Sequence, residues 1–179
     1  MYFKPYSACR WAHAAVDALV GIQSTYGVPA AVIEAIDVET FSRALTLNNQ
    51  IAPATIEAAQ YSIPFCLGLA GVAGTAALLP MTAAALSRPD ALALASKVRL
   101  SVDPQLDAMF SAAVPARVRV RTGDGVFEKA VLVPKGEPAN PMTDEELSGK
   151  LRDIVARHAA MSAYQQITDA MTKLESGDA

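Results

Sequence analysis

The chain has 179 residues, of which 52% are hydrophobic and 18% charged, with a net charge of −3. That length suits one domain, or one domain with an appendage, and that composition excludes a largely disordered chain. Lys and Arg form no blocks, which argues against a nucleic-acid partner, and the two cysteines, Cys9 and Cys66, build no disulfide framework.

The first predicted element is a helix over residues 9–26. Trp11, Ala15, Leu19 and Ile22 recur at helical spacing with Val16 and Val20, and Gly27 ends the pattern. Glu34 to Phe41 reads as a strand, with Ile36, Val38 and Thr40 on one face and Asp37 and Glu39 on the other. A loop follows at Asn48-Asn49-Gln50. Thr55 is expected to cap a second helix from Ile56 to about Ala70, kinked at Pro64. Its Gln60-Tyr61-Ser62 segment is polar within an apolar run, so Tyr61 and Ser62 are either a wetted helix face or hydroxyls lining a pocket.

From Ala58 to Ser87 no residue is charged. Pro64 and Pro80 interrupt that stretch, and Gly68, Gly71 and Gly74 thin it out. A buried helix followed by small-residue turns is expected there, and no membrane span. The N-terminal residues lack the apolar core of a secretory leader, so a cytoplasmic protein is expected.

Pro89 opens a helix to about Ser96, and Lys97 to Val102 alternates as a strand. The clearest hairpin starts at Ala116. Val118 and Val120 face inward, Arg117, Arg119 and Arg121 face outward, and Thr122-Gly123-Asp124-Gly125 makes the turn. The return strand runs from Val126 to Val133. The three arginines are expected to form a solvated, partly paired face.

Three prolines in Pro134-Lys135-Gly136-Glu137-Pro138-Ala139-Asn140-Pro141 mark a joint. Thr143 and Glu146 then form a capping box ahead of a helix to about His158, striped by Leu147, Leu151, Ile154 and Val155. A last helix spans about Ser162 to Leu174, and a frayed end follows from Ser176. The expected fold is α+β: an antiparallel sheet of about four strands with helices on one face over residues 1–138, then a helical tail over 139–179.

The richest chemistry is in Phe3-Lys4-Pro5-Tyr6-Ser7-Ala8-Cys9-Arg10-Trp11-Ala12-His13. It holds a lysine, a cysteine, an arginine and a histidine just before and within a helix start. Helix N-termini present unpaired N–H groups and the positive end of a dipole, which suits an anionic ligand. The plainer reading is a helix lead-in with a packed tryptophan.

Several landmarks together resemble the C-terminal part of the MmgE/PrpD family. They are Phe3-Lys4-Pro5-Tyr6 with Cys9-Arg10-Trp11, His13 and Asp17; Ile36 to Phe41; Glu57 to Phe65; Gly123-Asp124-Gly125; Pro134 to Pro138; and the capping box after Pro141. The resemblance implies a lid-like domain followed by helices that return to an N-terminal helical domain or subunit, which this sequence lacks. It implies action on a small di- or tricarboxylate without iron–sulfur clusters or other redox cofactors, in a protein that is commonly a homodimer.

The resemblance also places Lys4 in the pocket as a carboxylate ligand or proton donor. Cys9 stands where some members have a histidine and others an acid, which points to another branch. His13 matches a second family histidine. On this reading Lys4 and Arg10 carry the charge, Cys9 or His13 exchanges the proton, and Tyr61 and Ser62 orient a carboxylate. The alternatives are a non-catalytic module that pairs with a helical partner and a stand-alone binding domain.

Overall fold

The computed structural model describes residues 2–158 and 161–176; of the frayed end expected from Ser176, Ser176 itself is helical and the rest lies outside the described residues. The chain divides into two compact units, Met1–Pro141 and Met142–Ala179.

In the first unit, helix α1 (Arg10–Tyr26) is ended by Gly27, whose φ of +64° is left-handed. Its buried face is made largely of alanine, with Val16, Leu19 and Ile22, so its backbone can lie close to its neighbours. It packs on two strands of the sheet, β3 (Ala116–Thr122) and β4 (Gly125–Val131). Trp11 stands edge-on to Phe41 and to Phe110, each at 5.7 Å between ring centroids. It is half-buried against the core instead of lying wholly inside it.

The sheet has four strands in the order β2 (Val98–Val102), β1 (Ile33–Thr40), β3, β4. β1 pairs antiparallel with β3, which forms the expected hairpin with β4. β2 runs parallel to β1, with Ile36 opposite Val98. The sheet is therefore mixed, which corrects the antiparallel expectation. Alternating apolar residues define a strand's faces and leave its direction open. Here a long helical crossover carries the chain back before β2 begins, as parallel neighbours require.

That crossover holds a second correction. The expected helix over 56–70 is two helices, α2 (Ile56–Gln60) and α3 (Ile63–Ala73). Ser62 caps α3 and Pro64 sits in its first turn, so the proline starts a helix and kinks none. α3 is apolar on nearly all sides and packs against α1 and α4 (Pro89–Ala95). Gly68 lets α3 and α4 touch: a side chain there would collide with the Ala91 carbonyl. A short helix, α5 (Pro104–Asp107), follows β2 and is capped by Asp103.

The face of the sheet turned from the core carries Asp37, Glu39, Arg117, Arg119, Arg121 and Glu128. Arg117 reaches Glu39 at 2.8 Å and Asp103 at 2.6 Å. Arg119 reaches Glu39 at 2.7 Å and also pairs with Glu128.

The second unit is a helix pair, α6 (Asp144–His158) and α7 (Met161–Ser176). The capping box forms as expected. The Thr143 amide donates to Glu146 at 2.8 Å, and the Glu146 amide donates to the Thr143 hydroxyl at 3.2 Å. Among the described residues no helix is long and apolar enough to cross a membrane.

Candidate functional site

The site forms where the N-terminal stretch, the start of α1 and the proline-rich joint meet. The stretch is pinned by its backbone on three sides. The Phe3 amide donates to the Gly136 carbonyl at 3.1 Å, Ser7 to Leu78 at 2.9 Å, and Cys9 to Gln60 at 2.7 Å. Cys9 is the N-cap residue of α1 and is half-buried, and its side chain makes no capping bond.

The joint folds back over α1 as a strap. The Lys135 amide donates to Asp17 at 2.9 Å, and the Gly136 amide donates to the Asn140 carbonyl at 2.9 Å. Gly136 has φ +92°, and a side chain there would run into the Phe3 carbonyl. Glu137 is 8% exposed and accepts from Arg10 Nε at 2.5 Å.

Inside this clasp lies a chain of polar side chains. The Tyr6 hydroxyl donates to Asp17 at 2.6 Å. Tyr2 Oη and His13 Nδ1 are 2.8 Å apart, and His13 Nε2 lies 3.3 Å from the Ala8 carbonyl. A carbonyl only accepts, so Nε2 is assigned the proton and Nδ1 accepts from the tyrosine. The Tyr2 ring also lies 5.2 Å from the Arg10 guanidinium. Burial, reinforced by the Glu137 carboxylate, pushes the Tyr2 phenol well above its ordinary range. Burial also raises the Asp17 carboxyl, against the opposing pull of its Tyr6 and Lys135 hydrogen bonds.

The sequence candidates fall at different depths. Lys4 is exposed, and its Nζ donates to the Ala8 carbonyl at 3.2 Å. Arg10 is half-buried and committed by Nε to Glu137. His13 is fully buried, with both ring nitrogens engaged. Tyr61 is 46% exposed at the end of α2. Ser62 is buried, accepts from the Phe65 amide at 3.1 Å and donates to the Gln50 carbonyl at 2.6 Å.

The structure thus gathers Lys4, Cys9, Arg10 and His13 around the start of α1. It gives Ser62 to helix capping and leaves Tyr61 on the surface. Cys66 is fully buried, and burial pushes its thiol up to about 12. Among the described residues no three His, Cys, Asp or Glu side chains converge as a metal site.

Tyr2 and Glu137 escape sequence reasoning as site residues, and Asp17 enters it only as a landmark. For Asp17 a signal existed: it is an acid within a run of alanine and valine on a buried helix. Glu137 lies within the landmark Pro134 to Pro138, but nothing local marks it as the partner of Arg10, 127 residues away.

A family model, the MmgE/PrpD C-terminal domain, matches residues 6–176. The chain belongs to the MmgE/PrpD family. The match takes in Cys9, Arg10, His13, Asp17 and Glu137, and so both ends of the clasp. It also runs through the MmgE/PrpD chain's second unit, to the end of α7. A search of curated proteins finds no match to it.

Proposed function

We propose that this chain supplies one wall of the active site of a lyase or isomerase acting on a small di- or tricarboxylate. Membership of the MmgE/PrpD family carries the reading. The cation and thiol at the start of α1 support it. Removing a proton next to a carboxylate builds negative charge on the carboxylate oxygens, and a fixed cation with N–H donors lowers that barrier.

Lys4 is the first choice for the cation, because it is exposed while Arg10 is tied to Glu137. Cys9 is the candidate proton acceptor on this chain, lying half-buried at the N-cap of α1 with its side chain uncommitted to the cap. His13 is enclosed by Tyr2 and the Ala8 carbonyl, which suits a positioning role. The rest of the pocket comes from an N-terminal helical domain or subunit.

The test is deuterium incorporation from D2O, followed by NMR. Citrate, 2-methylcitrate, cis-aconitate and aspartate are offered to the chain alone and to the chain mixed with an MmgE/PrpD helical domain. Exchange that falls about a hundredfold in Lys4→Ala is expected. Unchanged exchange in that variant removes Lys4 from the site. No exchange in the mixture overturns the polycarboxylate reading.

The apolar side chains of α7 favour a second reading. Ile167 is 40% exposed, Met171 50% and Leu174 73%. A helix face of this kind suits a non-catalytic module that pairs with a helical partner. Complex formation without exchange in the same mixture selects that reading.

A further inference from the structure

A cavity of about 340 Å³ opens beside the clasp in the first unit. Its apolar wall includes Ala113, Val114, Leu132, Val133 and Pro138, and its charged lining residues are Arg10 and Glu137. The two charges are joined through Arg10 Nε and one carboxylate oxygen, Oε1. The guanidinium is further steadied by the Tyr2 ring.

Among the described residues nothing else bonds to Arg10 Nη1 or Nη2, or to Glu137 Oε2. Among the described residues no buried side-chain polar atom lacks a partner. These three atoms are therefore accessible, in two side chains that line an otherwise apolar cavity.

The charge pattern selects the ligand. A plain carboxylate on the Arg10 fork would bring a second negative charge beside Glu137. A plain amine on Glu137 would bring a second positive charge beside Arg10. A zwitterion satisfies both, and an apolar body suits the remaining wall.

We propose that this cavity binds an aliphatic α-amino acid. Its carboxylate lies on the Nη groups of Arg10, its ammonium on Oε2 of Glu137, and its side chain against Val114, Leu132 and Pro138. The inference does not rest on the polycarboxylate reading, and it assigns Arg10 to a site apart from Lys4.

Calorimetric titration of the folded chain with L-leucine tests it. Two arms remove one charge each: 4-methylpentanoate lacks the ammonium and 3-methylbutylamine lacks the carboxylate. Leucine is expected to saturate, and each analogue to bind about tenfold or more weakly, as loss of one charge-assisted contact implies. Ala113→Phe and Leu132→Asp leave the ion pair intact and are each expected to weaken leucine binding by a similar factor. Leu132 is 45% exposed, so its replacement keeps the fold even where Ala113→Phe does not.

Lys4→Ala is expected to bind leucine as the parent chain does, which separates this site from the proposed reaction. Absence of saturable leucine binding overturns the inference. So does an analogue that matches leucine, or normal binding by folded Leu132→Asp. Loss of binding in Lys4→Ala overturns it as well.

Discussion

Ser62 shows how a polar side chain in an apolar run is read two ways. Its hydroxyl oxygen accepts the Phe65 amide, and its proton goes to the Gln50 carbonyl. Both capacities serve the start of α3. Ser62→Ala is expected to lower stability by about 1–2 kcal/mol, the upper part of the range for a lost N-cap, because the hydroxyl is buried and also bonds Gln50. A thermal melt would show a fall of about 2–8 °C for a protein of this size. An unchanged melting temperature removes the capping role. What was legible was its polarity within an apolar run, which reads as a wetted helix face or a pocket hydroxyl. Its partner Gln50 was not, because nothing local ties a loop carbonyl to a hydroxyl 12 residues on. His13 was legible as a member of the first helical turn, whereas its complete burial depends on Tyr2 and Tyr6 closing over it.

At the scale of elements, the strap over residues 134–138 joins the two motifs richest in chemistry. It depends on Gly136, the residue that both adopts a left-handed backbone and passes against the Phe3 carbonyl. Gly136→Ala is expected to cost about 1–3 kcal/mol, since it adds an unfavourable φ to a collision with backbone. Urea unfolding measures this, and an unchanged midpoint shows that the strap seats without glycine. The proline-rich joint and the hairpin were legible from turn residues and alternation. The division of the 56–70 helix was not, because a proline inside an apolar run marks either a kink or a new first turn, and only the cap decides.

At the scale of the whole molecule, the charged face of the sheet ties β1 to β3 and β4. Hydrogen bonds from Arg119 and Arg117 hold the Glu39 carboxyl below its ordinary value near 4.5. A depressed carboxyl contributes stability that is complete above its unfolded value and lost as pH falls through the folded one. Glu39→Gln is therefore expected to be less stable than the parent chain at pH 7, by up to about 1 kcal/mol for pairs this close to solvent. The gap is expected to narrow as pH falls below the unfolded value near 4.5 and to close once the folded carboxyl is protonated too. Denaturation at a series of pH values reads this directly, and a gap constant with pH assigns the loss to packing instead. Asp17 works in the opposite sense: burial raises its carboxyl, so its ionisation opposes folding as pH rises past the unfolded value.

The sequence by itself determined the local elements and their faces: α1 and its glycine stop, the arginine hairpin, the capping box of α6 and the α+β class. Each of these follows from contacts between residues close in the chain, where periodicity and cap chemistry act. The ordered set of motifs also sufficed to place the chain beside the MmgE/PrpD family. The tertiary structure decided what joins distant residues. It set β2 parallel to β1, brought Glu137 onto Arg10 and Asp17 onto the strap, and enclosed His13. Strand direction and long-range ion pairs arise from how the crossover and the joint route the chain, and no local pattern encodes that routing.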